Sequence, residues 1–238
     1  MLVNSSVGQI IAMGGGGFSM EPDNPLLDRY ILGLAKQKKP KICFIPTASG
    51  DSDRYIAQFY STFEQVSCIP SHLSLFNPPT SDLKSFVLEK DIIYVGGGNT
   101  KNLIALWKEW GLDRVLKEAW ENGMILSGLS AGSICWFEEG LTDSIPGSWT
   151  VLKSFGFLKG SHCPHYDGEP ERRPAYHRLL SAGLISEGYA ADDGVALHYI
   201  GDRLEKIVSS RPYAKAYRLE KRGESCTEIT IQPQYLGD

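Results

Sequence analysis

The chain predicts an α/β fold, a three-layer sandwich with a mainly parallel sheet covered by helices on both faces. Three observations carry this. Short, mostly apolar runs at residues 10–13, 42–45, 92–95 and 124–127 have the length and β-branched content of strands buried on both sides. Segments with helical spacing of apolar residues separate them. Past Asp193 the period falls to two, which predicts antiparallel strands at the C-terminal edge of the sheet.

Taken in order, residues 10–13 form a strand that runs into four glycines, Gly14 to Gly17. A helix follows near Asp23 or Asn24, with Pro25 suited to its first turn and Leu27, Tyr30, Ile31 and Leu34 on one face. After the strand at 42–45 and a turn at 46–50, a second helix is expected over 51–66 and a further strand over 73–76. The strand at 92–95 ends in Gly96-Gly97-Gly98, and Asn99 or Thr100 caps a helix carrying Leu103, Leu106, Trp107 and Trp110. Gly111 interrupts it, residues 112–120 resume the period, and Gly123 ends it before the strand at 124–127. Trp107, Trp110 and Trp120 read as helix-packing core, and homodimerisation is left open as the one expected assembly. Residues 195–200 and 204–208 flank Gly201-Asp202 as a hairpin, and 214–219 with 227–231 form another. No linker or repeat divides the chain, so residues 1–238 are expected to be a single domain.

Composition narrows the function. Hydrophobic residues make up 42% and charged residues 22%, ordinary for a packed domain and wrong for a disordered one. The formal charge is −4, with no basic stripe, which argues against nucleic acid as a partner. The cysteines Cys43, Cys68, Cys135, Cys163 and Cys226 are odd in number and form no C-x-x-C pair, so a reducing compartment is expected. No Lys or Arg precedes Arg29, no apolar run is long enough to span a bilayer, and a cytoplasmic protein with no membrane partner follows as the expectation.

The sharpest chemical signal is Gly128-Leu129-Ser130-Ala131-Gly132, directly after a strand. G-x-S-x-G in that context is a nucleophile elbow: small neighbours let the chain bend sharply while the serine hydroxyl projects clear. The amide that opens the next helix, here that of Ala131, then points at a developing oxyanion. A serine needs a base, because its hydroxyl attacks poorly until a neighbour takes the proton. His72, His177 and His198 fall in strand or helix patterns and read as structural. His162 and His165 lie in a loop, and His165, held between Pro164 and Tyr166, is the better base. An orienting carboxylate could be Asp143, between serine and histidine in the chain, or Asp192 or Asp193 after them; spacing does not decide. The glycine turn at 96–98 offers a second oxyanion donor. Gly14 to Gly17 fit neither G-x-G-x-x-G nor a P-loop, so no nucleotide is expected. His162, Cys163, His165 and Asp167 resemble metal ligands, but no second ligand cluster joins them, and neither metal nor organic cofactor is expected.

Three motifs in this order, residues 95–100, 128–132 and Pro164-His165-Tyr166, resemble the serine exopeptidases that include dipeptidase E (aspartyl dipeptidase) and cyanophycinase. The likeness covers about residues 8–210. It implies a flavodoxin-like fold similar to class I glutamine amidotransferases, with serine in place of their cysteine. It further implies Ser130 as nucleophile, His165 as base, Asp143 as third catalytic residue, and the amides of Gly98 and Ala131 as oxyanion donors. Asn99 in the glycine turn, with Arg172 and Arg173 after the histidine, is the implied substrate-binding set, the arginines suiting a carboxylate. The implied substrate is a small peptide, with acidic N-terminal residues a candidate class. The prolines Pro170 and Pro174 that bracket the arginines depart from dipeptidase E. Two rivals share parts of this pattern: a serine esterase, disfavoured because His165 comes only 35 positions after Ser130, and a non-catalytic domain that binds a small metabolite.

Overall fold

In the computed structural model, which describes residues 7–237, strands and helices alternate through the first half of the chain. Strand β1 (Gln9–Met13) leads to helix α1 (Leu26–Gly33), β2 (Lys41–Ile45), α2 (Asp53–Phe63) and β3 (Ile69–His72). Next come α3 (Leu83–Leu88), β4 (Ile92–Val95), α4 (Thr100–Trp110), α5 (Leu112–Glu121), β5 (Ile125–Leu129) and the short α6 (Ala131–Ile134). A mainly β region follows: β6 (Phe137–Ile145), β7 (Ser148–Lys153), β8 (Leu158–Cys163), then α7 (Arg172–Ser181) and β9 (Gly188–Ala191). The chain closes with β10 (Val195–Ile200), β11 (Arg203–Ser209), β12 (Ala216–Arg222), β13 (Ser225–Ile231) and β14 (Gln234–Tyr235).

The first sheet has eight strands in the order β14-β11-β10-β1-β5-β4-β2-β3. Strands β1, β5, β4, β2 and β3 are parallel, and β10 joins β1 antiparallel, with Met13 opposite Ala196. Helices α1 and α2 cover one face, Phe59 of α2 packing with Ile11, Met13, Phe44 and Tyr94; α4 and α5 cover the other, Trp107 of α4 packing with Ile10, Ile93 and Leu126. Burial on both faces explains why β2 and β4 are apolar almost throughout.

The second hairpin departs from expectation. Only β10 and β11 extend the parallel sheet; β12 and β13 belong to a separate six-stranded sheet, β13-β12-β9-β8-β6-β7. A hairpin's period fixes which face is apolar but not which sheet it joins. This second sheet packs Phe137, Leu158, Ala191 and Ala216 into the first sheet's core, and α7 covers its other face at Leu141, Tyr176 and Leu219. The expected strand at 73–76 forms instead as β3 at Ile69–His72; Leu73 and Leu75 are buried just beyond it. Of the three tryptophans, Trp107 and Trp120 are core, whereas Trp110 is exposed. Among the described residues no helix is long and apolar enough to cross a membrane.

Candidate active site

Parallel strands place their carboxyl ends together, and three neighbours do so here: β1 ends at the Gly14–Gly17 run, β4 at Gly96-Gly97-Gly98, and β5 at Ser130. Because β10 runs antiparallel to β1, its start reaches the same rim, and Asp193 lies two residues before it. Chain crossings between the two sheets therefore deliver residues to one edge.

Ser130 links β5 to α6 with φ 56° and ψ −119°, a backbone that L-residues rarely adopt. The flanking glycines are forced by close approach: a Cβ on Gly128 would strike the Gly132 carbonyl, and one on Gly132 would strike that of Val95. Ser133 and Ile134 donate their amides to the Ser130 carbonyl at 2.9 Å, holding the elbow. The amides of Ala131 and Gly98 have no hydrogen-bond partner among the described residues. Two unspent N–H groups beside a serine hydroxyl can receive negative charge that develops on a carbonyl oxygen.

His165 follows β8 and also has a positive φ, 52°. Its amide donates to the Gly14 carbonyl at 3.0 Å, and the next amide, of Tyr166, donates to Ala191 at 3.1 Å. These bonds tie the histidine of the second sheet to the rim of the first. Its Nδ1 stands 2.6 Å from Asp193 Oδ1. A carboxylate there keeps the proton on Nδ1 and leaves Nε2 free as a base. The backbone of Asp193 is set in turn by Asp167, whose Oδ1 accepts the Asp193 amide at 2.8 Å. Gly15 makes room for the pair: a Cβ there would collide with the Asp193 carboxylate and approach His165 Nδ1 to 2.9 Å.

Ser130 and His165 line one open cavity of about 350 Å³, walled by Ser19, Met20, Tyr55, Gln58, Gly97, Gly98 and Leu129. Their side chains face the same space without hydrogen-bonding to each other, a separation common before substrate closes a site. The other histidines stand elsewhere. Burial pushes His162 down to about 3 and His198 down to about 4, so both are neutral at pH 7. His72 meets the Tyr60 hydroxyl, and His177 meets Glu228. Another cavity lies at the opposite end of the strands, beside Gln9, Asp91 and Gly123, and is lined by neither Ser130 nor a histidine.

Three sequence expectations are corrected by this geometry. Asp143 is exposed on β6 and makes no side-chain hydrogen bond or ion pair among the described residues; the carboxylate on His165 is Asp193. Asn99 spends its side chain on the turn itself, accepting from the Asn102 amide and donating to the Ser144 carbonyl, both at 3.0 Å. Arg172 and Arg173 do not line the cavity: Arg172 is buried over Trp149 and paired to Glu169, while Arg173 pairs with Glu228 above Tyr166 and Tyr217. No local pattern marks Ser19, Met20, Tyr55 and Gln58 as cavity walls. One hint pointed to Asp193: it precedes a period-two strand predicted to join the parallel sheet, and an antiparallel partner starts at the parallel strands' carboxyl ends.

A serine on a strained strand-to-helix turn, at the rim of a mainly parallel sheet, defines a class of hydrolase. Within that class the chain belongs to peptidase family S51, whose family model matches residues 10–207. It is 64% identical over 229 residues to the uncharacterized peptidase YgaJ of Bacillus subtilis (strain 168), covering 96% of this chain and 99% of that one. Two solved structures share the fold. A peptidase from an acI-B1 Actinobacterium superposes with TM-score 0.70 at 19% identity, covering 96% of each chain. A putative peptidase E protein from Listeria monocytogenes EGD-e gives TM-score 0.60 at 16% identity, covering 94% of this chain and 98% of that one. The chain is thus a peptidase of mixed α/β architecture.

Proposed function

We propose that this peptidase is a serine exopeptidase of short peptides, working through an acyl-enzyme. Ser130 Oγ attacks the scissile carbonyl while His165 Nε2 takes its proton, and Asp193 holds the ring and stabilises the imidazolium. The amides of Gly98 and Ala131 receive the oxyanion. His165 then protonates the leaving amine, and water, activated by the same imidazole, releases the acyl group. The observation that carries this reading is the Asp193–His165 contact beside the strained Ser130, with Ser130 and His165 lining one cavity.

The cavity walls also bear on substrate choice. Apart from His165, every residue lining it is neutral, and the two arginines expected to take an acidic side chain are engaged with Glu169 and Glu228. Peptides whose scissile carbonyl belongs to a neutral residue fit these walls better than aspartyl peptides do. The protein is expected to work in the cytoplasm and without nucleic-acid or membrane partners.

A dipeptide-library screen on wild type beside Ser130→Ala tests both points. Turnover should fall by roughly 10⁶-fold in the variant, and wild type should favour neutral first residues over Asp-Xaa. Undiminished turnover by Ser130→Ala ends the mechanism; a preference for Asp-Xaa ends only the specificity reading.

A further inference from the structure

Helix α2 presents Tyr55 and Gln58, three residues apart, to the cavity that holds Ser130. Gln58 Nε2 donates to the carbonyls of Phe18 and Ser19 at 3.0 and 3.3 Å, which fixes the helix against the loop forming the opposite wall. The Tyr55 ring is wedged against Phe18 and Phe44, with centroids 5.5 and 4.9 Å away, so the hydroxyl has little freedom to move. That hydroxyl accepts the Gly97 amide at 3.3 Å. Its own O–H has the Ser19 hydroxyl as a side-chain neighbour on the cavity wall. Gly97 immediately precedes Gly98, whose amide is unspent among the described residues.

A half-buried O–H on a wedged ring, held at a cavity wall with a serine hydroxyl beside it, can turn to donate to an acceptor that enters the cavity. The group that arrives in this cavity is substrate, and the acceptor beside Gly98 is the carbonyl oxygen under attack. We propose that Tyr55 is a catalytic residue whose hydroxyl donates a hydrogen bond to the oxyanion, alongside the amides of Gly98 and Ala131. The inference rests on the Ser130–His165 mechanism and extends it. The phenol keeps its proton throughout; no bond forms or breaks at Tyr55. Burial holds the Tyr55 phenol above its ordinary value, so it keeps its proton at neutral pH. The Gly97 hydrogen bond serves to aim it. Such a donor gains most when the carbonyl oxygen becomes an anion, so its effect falls on kcat rather than on KM.

The test compares Tyr55→Phe with incorporation of 3-fluorotyrosine at position 55, which keeps the ring and the acceptor for Gly97 while making the phenol a stronger donor. Steady-state kinetics on a good dipeptide are measured beside the affinity for a peptide boronic acid, which forms a tetrahedral adduct on Ser130. Tyr55→Phe should lower kcat on the order of 10²-fold with KM changed by less than about 3-fold, and weaken the boronate by a similar factor. The fluorinated protein should keep wild-type kcat or exceed it at neutral pH. The proposal is overturned if Tyr55→Phe leaves kcat intact, if it raises KM alone, or if the fluorinated protein loses as much as Tyr55→Phe. Activity that survives Ser130→Ala would instead remove the mechanism beneath it.

Discussion

The two sheets contribute to the site in different ways. In the eight-stranded sheet, β2, β4 and β5 are buried almost end to end, and Ser130, the proposed nucleophile, is placed by backbone alone, at a turn five residues long. The six-stranded sheet is shallower, with half-exposed edge strands β7 and β13, and it supplies His165, the proposed base, through long-range contacts. His165 reaches the rim by donating to Gly14, about 150 residues away in sequence, and its carboxylate partner sits on the link from β9 to β10, where the chain passes between sheets. Stacking of Phe137 on His162, centroids 4.8 Å apart, and packing of Trp136 against Phe157 support this second layer from beneath. A nucleophile can be set by local strain, whereas a base and its carboxylate require two layers to dock in one register.

If that contrast is right, the largest effect should come from the link between sheets. Asp193→Asn should cut kcat by about 10⁴-fold by permitting the wrong imidazole tautomer, whereas Asp143→Asn should stay within about 2-fold of wild type. Equal losses in side-by-side kinetics would erase the distinction between them. Gly15→Ala should cost on the order of 10²-fold in kcat, because the added methyl displaces the Asp193 carboxylate while leaving Ser130 untouched. Labelling of Ser130 by a fluorophosphonate should slow with it, and unchanged kinetics would show that the pair tolerates displacement.

A smaller effect is expected at Tyr166. Its hydroxyl donates to Glu228 Oε2 at 2.7 Å, and the same carboxylate accepts from His177 and Arg173. Tyr166→Phe should destabilise the fold by about 1 kcal/mol in urea titration, with a several-fold fall in kcat, since Tyr166 adjoins His165. A stability loss without any change in kcat would separate the second sheet's packing from catalysis.

The smallest effect concerns pH and the first sheet. Asp28 is buried in α1, and burial raises its pKa from 3.8 to about 7. Between those values the folded state retains a proton that the unfolded chain has released, so stability falls as pH rises from about 4 to about 7. Asp28→Asn should therefore match wild type below pH 4 and exceed it above pH 7, as read by denaturant midpoints across that range. Parallel curves at every pH would assign the slope elsewhere, with Asp192, raised to about 6 by burial, the next group to replace.

Much of the first sheet could be read directly. Buried parallel strands demand continuous apolar runs, and the elbow at 128–132 announces itself because only small residues fit where Gly128 meets Gly132. The second sheet was harder. Its strands mix polar and apolar residues, as at β8 (Leu158–Cys163), and α7 has two arginines and a proline at its start, so neither period stands out.

What the sequence determined by itself is therefore local: the strand-helix alternation, the glycine turns at the strand ends, and a serine where backbone strain exposes its hydroxyl. Three-dimensional packing decided the rest. It set Asp193, not Asp143, against His165, spent Asn99, Arg172 and Arg173 on structural partners, and brought Tyr55 to the cavity that Ser130 lines. The physical reason is range. A turn's geometry is encoded by the few residues that form it, but the partner of a charged or polar side chain is whichever group the docked layers carry to within about 3 Å.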